Sequence, residues 1–173
     1  LVPPGDKVRP TLSSKKETLF NILMSYFLKL NDNKNFCDKV VLDAFAGSGS
    51  LGLEAVSRGA KYCYFIEKNK LITNILKKNC DKILYKNKFK IINLDYNYLL
   101  PKFLKHNIDI VFFDPPYNYI IDNKIFDKII KKTNQFTVFI IEMSSKNITP
   151  EISYLRIIEE RILGKTKIII LKK

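Results

Sequence analysis

The chain has no tryptophan, one histidine and three cysteines among 173 residues. A Ser-His or Cys-His nucleophilic system would have to rest on His106. That residue stands in Lys105-His106-Asn107 with no evident partner and reads as a solvated loop residue. Cys37, Cys63 and Cys80 are odd in number and lack Cys-x-x-Cys spacing, which argues against a zinc site or a disulfide framework. Long hydrophobic runs are also missing. Ile110-Val111-Phe112-Phe113 has the length of a strand and falls far short of a membrane span. No secretory signal is visible, so a cytoplasmic protein without a membrane partner is expected. Acidic residues are scarce as well: seventeen Asp and Glu face thirty Lys and Arg, a net charge of +13 with a pI near 9.6. Such an excess attracts a polyanion, nucleic acid first, although coding bias toward Lys, Asn and Ile would colour a surface in the same way.

The hydrophobic fraction of 46% is ordinary for one globular domain of this length. We read an N-terminal extension over 1–12, a leading helix over 13–30 and a core over 39–173. The opening Leu1-Val2-Pro3-Pro4-Gly5 resembles the tail of something longer. Leu19, Phe20, Leu23, Met24, Phe27 and Leu30 recur at helical spacing, with Ser13 or Ser14 placed to cap and Glu17 in the first turn. An Asn-rich loop over 31–35 follows. Strands are then expected at 40–42, 62–66, 89–94, 108–113 and 137–141. Helices are expected between them at 51–58, 70–79, 98–105 and 123–132. This alternation predicts an α/β fold with a parallel sheet covered on both faces. The runs 155–162 and 167–171, separated by Gly164-Lys165, form a hairpin signal, so an antiparallel strand should end the sheet.

The segment Asp43-Ala44-Phe45-Ala46-Gly47-Ser48-Gly49-Ser50-Leu51-Gly52 lies between an expected strand and helix. Its Gly-x-Gly-x-x-Gly spacing lets a ligand approach the backbone where side chains would collide. Alone, the motif does not separate a dinucleotide from another adenosine-bearing cofactor. Asp43 would repel a pyrophosphate and welcome an ammonium, and Phe45-Ala46 departs from a plain dinucleotide loop. Glu67 ends the second strand about twenty residues beyond the glycines, where an acid can accept both ribose hydroxyls; capping the next helix is its bland alternative. Asp95 follows the third strand and could receive an adenine amine or simply cap a helix.

Asp114-Pro115-Pro116-Tyr117 closes the fourth strand. The two prolines remove backbone donors and hold the chain extended, presenting a carboxylate and carbonyls at the sheet edge. An exocyclic base amine is a poor nucleophile because its lone pair is delocalised into the ring. Acceptors at Asp114 and the Pro115 carbonyl would draw it toward a tetrahedral geometry, while Tyr117 stacks on a flipped base. A rigid loop or a peptide ligand is the alternative for such a Pro-Pro-Tyr run, but its place after a buried strand disfavours both.

With these residues in view, the sequence resembles the RsmD family, methyltransferases that form N2-methylguanine in small-subunit (16S) ribosomal RNA. The likeness covers nearly the whole chain: Arg9-Pro10-Thr11, Glu17-Thr18-Leu19-Phe20-Asn21, Leu42 to Ala55, Ser57-Arg58-Gly59-Ala60, Glu67 and Asp114 to Tyr117. It implies a Rossmann-like sheet of seven strands, mostly parallel with the last one antiparallel. S-adenosylmethionine would bind through Thr11, Asp43, Phe45, Ala46, Gly47, Ser48, Gly49, Glu67, Lys68 and Asp95, with catalysis at Asp114, Pro115, Pro116 and Tyr117. Arg9, Lys15 and Lys16 would meet RNA phosphates, and no metal is implied. The partner would be ribosomal RNA in an assembled or partly assembled small subunit, met by a monomer. Two departures stand out. Lys16 replaces a common Arg and loses a bidentate grip on phosphate, and the chain starts inside a Val-Pro-Pro-Gly phrase that a basic hairpin usually precedes. Competing readings are an adenine-N6 methyltransferase, a non-catalytic RNA-binding module and an NAD-dependent oxidoreductase, the last leaving Pro-Pro-Tyr unexplained.

Overall fold

Val40, Val41, Leu42 and Asp43 are all buried in β1 (Val40–Asp43), as a central strand covered on both faces requires. This computed structural model describes residues 10–30, 35–116, 118–121, 124 and 126–173. The chain continues through α2 (Ser50–Ser57), β2 (Tyr62–Ile66), α3 (Lys70–Ile83), β3 (Phe89–Ile92), β4 (Ile108–Phe113), β5 (Thr133–Ser144), β6 (Arg156–Leu163) and β7 (Thr166–Lys172), after a leading helix α1 (Pro10–Lys29). The sheet has seven strands in the order β3-β2-β1-β4-β5-β7-β6. The first five run parallel, and β7 inserts antiparallel between β5 and β6. The α/β architecture and its antiparallel end therefore stand as the sequence predicts. Strand order reverses between β1 and β4, which opens a crevice at their carboxyl ends, the usual ligand position in such sheets.

One face of the sheet is covered by helices. Leu19, Phe20, Leu23 and Phe27 of α1 and Ala55 of α2 pack on Val41, Cys63, Phe65, Ile110 and Phe112. Charges reinforce this contact: Glu54 of α2 receives Lys16 of α1 at 3.1 Å and Arg58 at 2.8 Å. The Arg58 guanidinium also lies 4.9 Å from the Phe20 ring centroid. The helix starts earlier than expected, at Pro10. Proline presets φ for a first turn and lacks an N–H that would be unsatisfied there, so Ser13, Ser14 and Glu17 are not its cap and first turn.

The opposite face is covered differently. The helix expected at 98–105 is replaced by two 3₁₀ turns, Tyr96–Tyr98 and Pro101–Phe103. Pro101 has no N–H to continue a helix, and Asp95 accepts the Asn97 amide at 2.9 Å, which closes a tight turn instead. The helix expected at 123–132 is likewise a chain of turns among its described residues, ending in a 3₁₀ turn at Ile130–Lys132. Phe126 and Ile129 are both fully buried there, and their spacing of three suits a turn as well as a helix. Tyr96, Leu99, Leu104, Phe126 and Ile129 thus seal Tyr64, Val111, Phe113, Phe139 and Ile141 without an α-helix among the described residues.

Candidate functional site

The glycine turn is built from three glycines with separate tasks. Gly47 and Gly49 have φ of 53° and 93°, the left-handed region where a side chain is strained. Gly52 has no such φ. A Cβ there would lie 2.3 Å from the Phe65 ring and 2.7 Å from Cys63 Sγ, so its hydrogen lets α2 press on β2. Asp43 turns inward beneath the loop. It is 2% exposed, and its Oδ2 accepts the Gly52 amide at 2.9 Å. Burial pushes its pKa up to about 7, with Glu67 adding to the rise and the Gly52 and Phe45 amides opposing it. From α3, Asn79 donates to the Ser48 carbonyl at 2.9 Å and fixes the loop from the other side.

Glu67 joins this turn to the end of β2. Its Oε2 accepts the Gly47 amide at 2.9 Å and its Oε1 accepts the Asn69 amide at 2.7 Å. Capping of α3 falls to Asn69, whose side chain accepts from Leu71 and Ile72. Asp95 does cap a turn, through Asn97, and also lies 3.7 Å from the Lys68 ammonium.

A cavity of about 500 Å³ opens at the strand reversal, lined by Ala44, Phe45, Gly47, Ile66, Glu67, Lys68, Asn69, Ile72, Leu94, Asp95, Tyr96, Asp114, Pro115, Pro116, Tyr119 and Glu142. That size is ordinary for a small-molecule site. Phe45, Gly47, Glu67, Lys68 and Asp95 thus reach the wall, as do Asp114, Pro115 and Pro116. Asp43, Ala46, Ser48 and Gly49 are not on it and build the turn behind. The Thr11 side chain, Tyr117 and Arg9 lie outside the described residues. Lys15 and Lys16 point into the protein: Lys15 donates to Thr166 Oγ1 at 2.8 Å, and Lys16 meets Glu54.

Several wall residues have no counterpart among the sequence candidates. Tyr96 and Tyr119 pack around Phe45 with centroids 5.7 and 5.1 Å away, and the Tyr119 hydroxyl donates to Asn97 Oδ1 at 2.9 Å. Glu142 is another. Its signal was an acid directly after the buried run Phe139-Ile140-Ile141, the placement Asp114 has after β4. Desolvation raises the Asp114 pKa well above the usual carboxylate range. Glu142 and then Asp43 add to that rise, and Lys15 opposes it. Glu142 is raised by burial too, with Lys15 again opposing.

His106 lies at the other end of β4. It is exposed, but it does have a partner: its Nδ1 is 2.8 Å from the Tyr64 hydroxyl. That hydroxyl also accepts the Lys105 and His106 amides, so the residue serves the amino edge of the sheet.

Residues 1–172 match the family model described as "Conserved hypothetical protein 95". The chain is 35% identical over 153 residues to the Ribosomal RNA small subunit methyltransferase D of Haemophilus influenzae, covering 85% of this chain and 75% of that protein. A protein of the same name from Buchnera aphidicola is 35% identical over 152 residues, 83% and 72% of the two chains. The crystal structure of a provisionally assigned methylase from Haemophilus influenzae superposes with a TM-score of 0.70 at 28% identity, covering 94% of this chain and 98% of that one. A match along the whole chain, joined to a glycine turn, an acid after β2 and Asp114-Pro115-Pro116 around one cavity, leaves one assignment: this protein belongs to the RsmD family of methyltransferases.

Proposed function

We propose that this protein transfers a methyl group from S-adenosylmethionine to the exocyclic N2 amine of a guanine in small-subunit ribosomal RNA. The observation that carries the reading is an acid-lined cavity in a basic protein. Glu67, Asp95, Asp114 and Glu142 stand on one wall system with Lys68 as its basic residue, in a chain of net charge +13. A dinucleotide pyrophosphate would meet repulsion there. A ligand with a sulfonium and an ammonium meets attraction, strengthened by partial burial. The relatives' names point to the same chemistry and to small-subunit RNA.

The residues then divide the work. Each Glu67 oxygen already takes one backbone N–H, which sets its orientation and leaves acceptor capacity for a ribose hydroxyl. Asp95, oriented by the Asn97 amide and Lys68, would receive the adenine amine. Asp43 acts through the turn it anchors. When bound, the cofactor supplies an electrophilic methyl on a sulfonium that leaves as a neutral thioether. Asp114 accepts one N–H of the target amine, and the Pro115 carbonyl accepts the other. As the N–C bond forms the nitrogen becomes positive, and its proton passes to Asp114. A carboxylate whose pKa is raised by its surroundings is the better acceptor for that proton. Tyr117 stacks on the base.

Phosphates of the RNA would be met beside this site. A second cavity, lined in part by Lys68, Lys124 and Lys128, adjoins the first through Pro116 and Tyr119. Arg9 is proposed for the same role, while Lys15 and Lys16 have first obligations inside the protein. The test is methyl transfer from labelled S-adenosylmethionine to small-subunit particles lacking the modification, followed by mapping of the product base. N2-methylguanine is expected, and a labelled adenine would overturn the choice of base.

A further inference from the structure

Side chains alternate across a strand, and this places a row of polar groups on one face of the sheet. Val41 of β1, Phe112 of β4, Ile140 of β5 and Ile168 of β7 all face α1. Two positions along β1, β4 and β5, on that same face, stand Asp43, Asp114 and Glu142, with Asp43 paired to Phe112 and so one step below the other two. Thr166 stands two positions before Ile168 on the antiparallel β7. β4 and β5 are neighbours with Phe113 paired to Ile141, so Asp114 and Glu142 follow side by side at the carboxyl edge, and both line the cavity. Lys15 comes down from α1 and is held over this edge by its 2.8 Å hydrogen bond to Thr166.

On the reading that Asp114 accepts the target amine's proton, we propose that Glu142 and Lys15 are positioning residues acting through Asp114 with opposite sign. Glu142 strengthens the hold of Asp114 on a proton. Lys15 limits that hold and favours the carboxylate form that the amine needs. Two carboxylates in adjacent positions of a half-buried edge cannot both ionise freely, and a lysine between helix and sheet relieves part of the conflict. Among the described residues, the charged groups facing Asp114 are Glu142 from β5, Asp43 from β1 and Lys15 from α1. Asp43 is committed to the Gly52 amide, which leaves Glu142 and Lys15 as the adjustable pair. The arrangement also couples chemistry to the leading helix: displacement of α1 would remove the cation that opposes protonation of Asp114.

The test uses the full chain and two readouts. In the ligand-free protein, carboxyl carbon-13 NMR titration follows Asp114, assigned by its loss in Asp114→Asn. Glu142→Gln should lower the Asp114 midpoint by about one pH unit or more, and Lys15→Met should raise it by a similar amount. The ascending limb of kcat against pH should move in the same two directions. Lys15→Arg keeps the charge and should keep the wild-type midpoint, which separates charge from packing if Lys15→Met unfolds. A midpoint unmoved in Glu142→Gln, or moved the same way in both variants, would overturn the proposal. The parent reading fails separately: an Asp114→Asn protein that keeps wild-type turnover would show that Asp114 does not accept the proton, whatever its midpoint.

Discussion

Glu67 and the glycine turn are one unit, because Glu67 Oε2 receives the Gly47 amide at 2.9 Å while its Oε1 receives the Asn69 amide at 2.7 Å. The carboxylate that should hold a ribose also shapes the loop beneath it. Glu67→Ala therefore removes the ribose acceptor and frees two amides at once. Affinity for S-adenosylmethionine should fall by about 1.5–3 kcal/mol, the range for hydrogen bonds to a charged group, as read by calorimetry. A folded variant with unchanged affinity would leave Glu67 a purely structural clasp.

On the proposed reading, Asp114 serves the chemistry more than cofactor capture. Asp114→Ala should abolish most turnover with little change in S-adenosylmethionine affinity, because the contact to the amine is realised mainly in the transition state. Single-turnover kinetics with small-subunit particles and calorimetry on the same preparation separate the two effects. A variant that loses cofactor binding in proportion to turnover would move Asp114 to the cofactor side of the site.

Sheet and site were legible to different degrees. Strands 62–66 and 108–113 match their observed bounds, because short buried parallel strands announce themselves as apolar runs between turn residues. The helices expected at 98–105 and 123–132 failed for local reasons. Apolar residues three apart serve a turn as well as a helix, and Pro101 and the Asp95 side chain choose the turn. In the site, residues carrying a motif were readable: Glu67, Asp95, Asp114, Pro115 and Pro116 all line the cavity. Asp43 was readable as an acid but not in its direction, since only the fold shows it facing Gly52. Glu142 and Lys15 belong to no motif. Glu142 reaches Asp114 through strand register and Lys15 reaches both from a helix laid across the edge, relationships that no local spacing in the chain reveals.

Gly52 supports the site from behind. A methyl group there would sit 2.3 Å from the buried Phe65 ring and 2.7 Å from Cys63 Sγ. Gly52→Ala should cost about 1–3 kcal/mol by overpacking, measured by denaturant unfolding. Stability equal to the parent would mean that α2 can lift from β2 without cost.

Stability should rise on mild acidification. Asp43, Asp114 and Glu142 all have folded pKa values raised above their unfolded ones, Asp43 to about 7. An acid of this kind contributes stability that is complete below its unfolded value and lost as pH climbs through its folded one. Glu54, lowered by Lys16 and Arg58 against its desolvation, has the opposite sign, but its loss begins only below its ordinary value of 4.5. The ligand-free protein should therefore melt at a higher temperature at about pH 5.5 than at about pH 8. A melting temperature that climbs with pH across this window would refute the account of the three buried acids.

Substrate choice starts from charge. A chain of net charge +13 can neutralise many phosphates. Phosphate contacts position a substrate without specifying it. Selectivity should come from a folded RNA that presents one splayed-out guanine to Asp114-Pro115-Pro116-Tyr117. Small-subunit particles should then be methylated far better than protein-free ribosomal RNA or a short oligonucleotide, with duplex DNA the poorest. Lys124 and Lys128, on the cavity beside Pro116 and Tyr119, supply the local test. Lys124→Glu with Lys128→Glu should weaken particle binding and flatten its salt dependence, each lost phosphate contact reducing the slope by about one. Cofactor affinity should stay at the parental value, since neither residue lines the cofactor cavity. Equal binding and an unchanged salt slope in the double variant would place the RNA on another face. DNA outperforming both RNA substrates would overturn the RNA assignment while leaving methyl transfer intact.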